Sequence, residues 1–227
     1  PARFLVADGD IVEEKNLVRQ NFTEADLGLN KARVVAERYS GVFGLETSYV
    51  PDFIENAEKL EELIAPRSWR TGRFVTDPKT YVQTPETISE LVILIGAVDN
   101  NRSRQLCHEV FLRTKELVYI DSRNGEYTGQ VVCGIRRGGK TIYKPVGALY
   151  PDMAQPDDLF PSEVSCADAS LSAPQTIAAN LMAATAVVTI IYNILVVGSS
   201  TVQQATFSTK TVNIRAYQKQ KKRRKAA

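Results

Sequence analysis

Residues 4–31, FLVADGDIVEEKNLVRQNFTEADLGLNK, decide the fold of this chain. The apolar run of residues 4–7 ends in Asp8, Gly9 and Asp10, as a buried strand ends in a doubly wound nucleotide-binding fold. In such folds, an acidic residue at the carboxyl end of a strand holds a ribose through its hydroxyl groups. We therefore predict that Asp8 binds the ribose of a nucleotide.

Polar side chains suited to phosphate follow in the same segment. They are Asn16, Arg19, Gln20 and Lys31. Arginine offers a planar fork of N–H donors, and lysine offers a mobile point charge, so both bind phosphate well. The segment therefore predicts contacts to the phosphates of the nucleotide that Asp8 would hold.

A second strand supplies a candidate metal ligand. Residues 91–98, LVILIGAV, form an unbroken apolar run, as expected of a central parallel strand, and Asp99 follows directly. Because magnesium takes one or two carboxylates and completes its shell with water and phosphates, we predict that Asp99 holds magnesium. The alternative interpretation is that Asp8 and Asp99 cap helices, while Arg19 and Lys31 are solvated surface charges.

The remaining pattern predicts an α/β fold, Rossmann-like and doubly wound, with a largely parallel sheet, an antiparallel hairpin extension and a long C-terminal helix. Helices are predicted over residues 29–39, 57–64, 102–113 and 174–197, and strands over 45–50, 117–121, 129–136, 140–146 and 211–217. Residues 66–90 are polar and without periodicity, so we expect an insertion or long loop there. The helix at 174–197 has no charged residue, and we predict a core or dimer-interface helix rather than a membrane span.

Composition narrows the class of protein. The chain has 227 residues, of which 44% are hydrophobic and 24% charged, as in ordinary globular proteins. Three cysteines without a CxxC pair and a single histidine argue against a disulfide framework and against zinc or Ser-His-Asp chemistry, and we expect a cytoplasmic location. The basic run at residues 219–225 predicts a disordered tail over 218–227, with nucleic-acid binding as the less favoured alternative.

Four stretches together resemble one known family. They are DGDIVEEKNLVRQNFTEADLGLNKARV at residues 8–34, ILIGAVDNNRSRQ at 93–105, YIDSRNGEYTGQVVCGI at 119–135, and the stretch 159–187. Their order is similar to the signature of the ThiF/MoeB adenylating enzymes of the ubiquitin-activating-like superfamily, in a bacterial branch without zinc cysteines. The resemblance covers most of residues 3–217, apart from 66–90, and it implies one ThiF-like adenylation domain over residues 1–217.

The resemblance implies an activity and a set of site residues. Asp8 matches the ribose-binding aspartate, and Asp99 matches the position that binds magnesium. The ATP-facing positions correspond to Asp10, Asn16, Arg19, Gln20 and Lys31. The family's enzymes adenylate the C-terminal carboxylate of a ubiquitin-like or sulfur-carrier protein, so the resemblance implies Mg-ATP, a carrier-protein partner and a homodimer. The composition itself predicts no membrane partner and disfavours a nucleic-acid partner.

Cys166 is the candidate nucleophile for a later step. The resemblance implies that a cysteine in this crossover segment takes the activated carboxyl group as a thioester, while an unreactive buried thiol is the alternative. The family's first strand and GxGxxG loop are not in this sequence, so we expect them to be supplied from outside it. Two other functions stay open: a non-catalytic ThiF-like dimerisation and partner-binding module, and, more weakly, an NAD-dependent oxidoreductase.

Overall fold

The structure, a computed structural model, describes residues 2–154, 160, 175–198, 200 and 202–218. Its helices are α1 (Glu14–Leu17), α2 (Lys31–Phe43), α3 (Ala57–Leu63), α4 (Asn101–Arg113), α5 (Val146–Leu149) and α6 (Ile177–Val196). Its strands are β1 (Arg3–Ala7), β2 (Glu46–Val50), β3 (Ser68–Thr76), β4 (Gln83–Ser89), β5 (Ile93–Gly96), β6 (Leu117–Asn124), β7 (Thr128–Arg137), β8 (Lys140–Tyr143), β9 (Val202–Ser208) and β10 (Asn213–Gln218). This confirms the predicted α/β fold with an antiparallel extension and a long C-terminal helix.

The strands form three hydrogen-bonded groups. The main sheet has the order β10-β9-β7-β6-β5, with β8 also paired to β7. Within it, β5 and β6 run parallel and the other pairs are antiparallel. Strands β1 and β2 form a separate parallel pair, and β3 and β4 form an antiparallel hairpin. The predicted hairpin around residues 137–139 is confirmed as β7–β8.

Charged groups at the two ends of β1 lie near residues that flank β5. The Arg3 guanidinium at the start of β1 donates from Nε and Nη2 to both carboxylate oxygens of Glu90, just before β5, at 2.8 and 2.7 Å. At the other end, Asp99 lies near enough to Asp8 for its charge to affect the Asp8 pKa. Asp8, after the carboxyl end of β1, and Asp99, after that of β5, therefore lie near each other.

Two helices cover opposite faces of the main sheet. On one face, Val110 and Phe111 of α4 pack with Tyr119 of β6. On the other face, α6 packs against β6 residues such as Val118. The first five residues of β6 are all buried, because each face of this strand is covered by a helix.

Helix α6 has one buried face and one exposed face. Its buried residues are Ala179, Ala183, Ala186, Val187, Ile190 and Ile194. These contacts with the sheet agree with the predicted core helix. Exposed apolar side chains on the helix include Leu181, Val188, Tyr192 and Leu195. By length and composition, α6 is also the one helix in the described part of the chain that could span a bilayer.

Residues 66–90 contain more regular structure than the sequence indicated. We predicted an insertion or long loop, and the structure has the hairpin β3–β4 there. The hairpin leaves Trp69, Phe74 and Tyr81 exposed, so burial imposes little alternation on its sequence. Strand β9 was likewise not predicted, because only Ala205 and Phe207 of its seven residues are buried.

Two glycines provide a matched test of packing. A Cβ on Gly129 in β7 would lie 2.2 Å from Phe207 Cζ and 2.6 Å from the Arg123 carbonyl oxygen, whereas a Cβ on Gly41 in α2 meets nothing within 4 Å. We expect Gly129→Ala to lower the free energy of unfolding by about 1–3 kcal/mol, and Gly41→Ala to raise it by about 0.5–1 kcal/mol. Urea unfolding measures both. Equal effects of the two substitutions would contradict this packing of Phe207 on β7.

Candidate functional site

Asp8 lies in a tight turn at the carboxyl end of β1. Its Oδ1 accepts a hydrogen bond from the backbone N–H of Asp10 at 2.9 Å. Asn30 closes the turn, because its Nδ2 donates to the backbone carbonyls of Asp8 at 2.7 Å and Asp10 at 3.1 Å. Asn30 was not singled out in the sequence, and it is the residue that joins the end of β1 to the start of α2.

Burial raises the pKa of Asp8 above its ordinary value. The hydrogen bond from Asp10 and the charge of Lys31 act in the opposite direction, while the negative charges of Asp10 and Asp99 raise the pKa further. The structure thus brings together four of the predicted site residues from three segments of the chain. A partly desolvated carboxylate here can accept hydrogen bonds from a ligand more strongly than a solvated one.

Lys31 contacts Asp10 rather than the Arg19 segment. Its Nζ lies 2.7 Å from Asp10 Oδ2, and its side chain is 13% exposed, against 53% for Asp10. Lys31 is the first residue of α2, where the partial positive charge of the helix N-terminus disfavours a cation. The negative charge of Asp10 offsets this unfavourable interaction of Lys31 with the helix N-terminus. The phosphate contact assigned to Lys31 stays a prediction.

Helix α1 and the residues directly after it carry polar side-chain atoms that have no hydrogen-bond partner in the described part of the chain. These atoms belong to Asn16, Arg19 and Gln20. Asn16 is fully buried, and its Oδ1 accepts the Glu13 N–H at 2.9 Å. Asn16 Nδ2, Arg19 Nε and Gln20 Oε1 are buried and have no hydrogen-bond partner within the described residues. Because unpaired buried polar atoms are costly, three of them within five residues make this segment a candidate for contacts to a polar ligand.

The loop after this turn is braced by an ion pair. Arg38 of α2 contacts Asp26 Oδ2 at 2.5 Å and donates to the Asn21 carbonyl at 2.6 Å. The Thr23 N–H and the Arg38 guanidinium lower the pKa of Asp26. Thr23 and Asp26 form a capping box on a 3-10 turn at Glu24–Asp26, while Asn30 caps α2.

Asp99 is exposed at the carboxyl end of β5. The next residue, Asn100, is the N-cap of α4, and its Oδ1 accepts the Ser103 N–H at 2.8 Å. The N-cap of α2 is Asn30, so neither Asp8 nor Asp99 caps a helix. The helix-capping alternative for these two aspartates is therefore wrong.

Arg104 supports the loop that carries Asp99, and the sequence did not reveal this role. Arg104 and Asp121 are 2% and 1% exposed, and Arg104 Nε lies 3.3 Å from Asp121 Oδ2. Arg104 also donates to the carbonyl of Val98, and the Tyr119 hydroxyl donates to Asp121 at 3.1 Å. The sequence feature that could have revealed the role of Arg104 is its position on the face of α4 that is buried, where a charged residue is unusual.

The sequence matches the family model described as the ThiF family over residues 2–227. The chain belongs to the ThiF family. No curated protein sequence matches it significantly. The family membership confirms the resemblance that the first segment suggested.

Solved structures share the fold of this ThiF-family chain. E. coli MccB with ATP matches with a TM-score of 0.61 at 13% identity, over 95% of this chain and 55% of MccB. E. coli MccB with MccA-N7isoASN has a TM-score of 0.60 at 17% identity, with 95% and 56% covered. PaaA has a TM-score of 0.59 at 14% identity, with 95% and 55% covered. The chain thus spans a little over half the length of these proteins.

The structure describes two of the three cysteines of this ThiF-family chain. Cys107 and Cys133 are buried free thiols, and desolvation is the main reason that the pKa of each is raised to about 12. At neutral pH both stay protonated, so neither is a nucleophile. Cys166, the predicted thioester residue, lies outside the described residues, as does the basic run at 219–225.

Proposed function

We propose that this ThiF-family chain carries the ATP-binding face of an enzyme that adenylates the C-terminal carboxylate of a ubiquitin-like or sulfur-carrier protein. The observation that carries the proposal is the group of unpaired buried atoms on Asn16, Arg19 and Gln20. This group lies in the segment that follows the partly buried Asp8. An oxidoreductase needs no such phosphate-facing set beside its ribose-binding acid.

In the proposed reaction, a carboxylate oxygen of the carrier attacks the α-phosphorus of ATP. The bond from that phosphorus to the oxygen bridging to the β-phosphate breaks, and pyrophosphate leaves. Asp8 accepts hydrogen bonds from the ribose hydroxyls and fixes the nucleotide. Arg19 and Lys31 face the phosphates, where fixed positive charge stabilises the developing negative charge.

Magnesium fits the proposed site through Asp99. Among the described residues no group of three or more His, Cys, Asp or Glu side chains could hold a metal ion by itself. Magnesium does not require such a group, because one carboxylate with water and phosphates completes its shell. When bound, the ion would neutralise phosphate charge, and Asp99 would hold it at the carboxyl end of β5.

The substrate class is supported by the structural relatives. One E. coli MccB structure contains ATP, and another contains MccA-N7isoASN. By extension, we propose that the present chain binds ATP and a carrier or peptide substrate. We also propose that it acts as a homodimer.

Carrier-dependent exchange of labelled pyrophosphate into ATP tests the function, with the intact protein and a panel of carrier proteins. We expect exchange that needs both a carrier and magnesium. Absence of exchange together with undetectable ATP binding would overturn the enzyme proposal and leave the non-catalytic binding module.

Thioester formation is a separate part of the proposal. We expect Cys166→Ala to abolish a carrier adduct that dithiothreitol cleaves, while pyrophosphate exchange stays within about twofold of wild type. Cys107 and Cys133 cannot replace it, because their thiols remain protonated at neutral pH. Non-reducing gel electrophoresis detects the adduct. An adduct that persists in Cys166→Ala would show that Cys166 is not its site.

A further inference from the structure

Asn180 connects helix α6 to the peptide backbone at Arg19. Its Nδ2 donates to the Arg19 carbonyl at 2.8 Å, across 161 residues of sequence. Its Oδ1 accepts from Nδ2 of Asn124, the last residue of β6, at 2.6 Å. We propose that Asn180, oriented by Asn124, is a positioning residue for Arg19, an inference that rests on the proposed adenylation site.

An amide is well suited to this position. The side chain must accept from Asn124 on one side and donate to a carbonyl on the other, and among the short side chains only asparagine presents both groups in one plane. The Arg19 carbonyl can only accept, so it fixes the Asn180 amide with Nδ2 toward Arg19 and Oδ1 toward the Asn124 donor. The pair therefore has a defined orientation, and loss of either residue removes it.

The first turn of α6 is a rigid base for this contact. Thr176 caps the helix by accepting the Ala179 N–H at 3.2 Å, and its hydroxyl donates to the Glu126 carbonyl at 2.9 Å. Ala179 is fully buried and lies in a small core cluster with Phe207 of β9. Asn180 is thus held by the main sheet, and it transmits that rigidity to the Arg19 segment.

Apart from Asn180 and the Arg38 contact to the Asn21 carbonyl, the Arg19 segment is held by bonds within its own turn. The backbone N–H groups of Arg19 and Gln20 donate to the Asn16 carbonyl at 3.2 and 2.8 Å, within the same turn. Val18 beside them is 79% exposed. Without Asn180 the segment can shift as a unit, and displacement by about 1 Å of a group that faces substrate costs about 100-fold in rate.

Asn180→Asp tests the proposal with little change in shape. The acceptor for Asn124 remains, but an oxygen replaces the donor to the Arg19 carbonyl. We expect kcat/KM for ATP in pyrophosphate exchange to fall about 10- to 100-fold. In hydrogen exchange, the amides of residues 19–21 should exchange faster than in wild type. Asn193→Ala, farther along α6, is the control, with kinetics within about twofold and unchanged exchange at residues 19–21.

The outcomes separate this inference from the proposed function. Wild-type activity with unchanged kinetics and exchange in Asn180→Asp would overturn the positioning role. If the wild type shows no pyrophosphate exchange, the proposed function fails, and hydrogen exchange alone then decides whether Asn180 holds the segment. If Asn180→Asp does not fold, Asn124→Ala is the second variant. Faster hydrogen exchange at residues 19–21 in Asn124→Ala would support the positioning role, and hydrogen exchange equal to that of wild type would contradict it.

Discussion

Replacing Arg19 with alanine is expected to lower kcat/KM for carrier-dependent pyrophosphate exchange by about 100- to 1000-fold. Arg19 has a buried Nε without a partner in the described residues, and its backbone carbonyl is held by Asn180. A preorganised cation at a phosphate stabilises the transition state by several kcal/mol, since it needs no rearrangement during the reaction. Arg19→Lys should recover only part of the loss, because lysine lacks the planar fork.

Arg33→Ala is the matched control for this prediction. Arg33 lies on α2 near the site, its side chain is 51% exposed, and its Nε pairs with Glu37 at 2.8 Å. Exposed pairs of this kind contribute little, so we expect rates within about twofold of wild type and a small change in Tm. Equal losses in Arg19→Ala and Arg33→Ala would mean that general loss of positive charge, and not Arg19 itself, limits the reaction.

Asp8→Asn is expected to weaken ATP binding while it stabilises the fold. The carboxylate that we assign to the ribose is lost, so the Kd for ATP should rise about 10- to 100-fold. Asparagine keeps an oxygen that can accept the Asp10 N–H, so the turn at the end of β1 should be retained. Because the partly buried Asp8 is disfavoured as an anion, its neutral replacement should raise Tm at neutral pH.

The raised pKa of Asp8 also fixes the direction of the pH dependence. Because the folded state favours the protonated carboxyl, Asp8 contributes stability below its unfolded pKa, and this is lost as pH rises through its raised folded pKa. The proposed ribose contact needs the Asp8 anion, so wild-type affinity for ATP should fall on acidification at a higher pH than for an exposed aspartate. Isothermal titration calorimetry across the pH range measures the Kd for ATP. A Kd for Asp8→Asn that equals the wild-type Kd would contradict the ribose assignment.

Much of the fold follows from local sequence because burial leaves a periodic pattern. Strand β6 is covered on both faces and reads as a continuous apolar run, and α4 and α6 each bury one face. The same reasoning failed at β3, β4 and β9, where fewer side chains are buried. Exposed strands are determined by backbone pairing, which leaves little trace in the order of side chains.

The candidate site was predictable only in part. Asp8, Asn16 and Arg19 lie close together in the sequence, so their order was informative. The residues that support them are distant: Asn180 is 161 residues from Arg19, and Asp121 pairs with Arg104 across two elements. Such contacts depend on how the helices pack on the sheet, and no local pattern records them.

The most direct test of the central claim follows the oxygen atoms of the carrier. With the C-terminal carboxylate of the carrier labelled by ¹⁸O, attack on the α-phosphorus leaves one labelled oxygen bridging the acyl group and AMP. When a thiol or hydroxylamine then takes the acyl group, AMP should leave with one ¹⁸O atom, which mass spectrometry measures. Label in pyrophosphate or orthophosphate, or unlabelled AMP formed with the carrier product, would contradict adenylation by this chain.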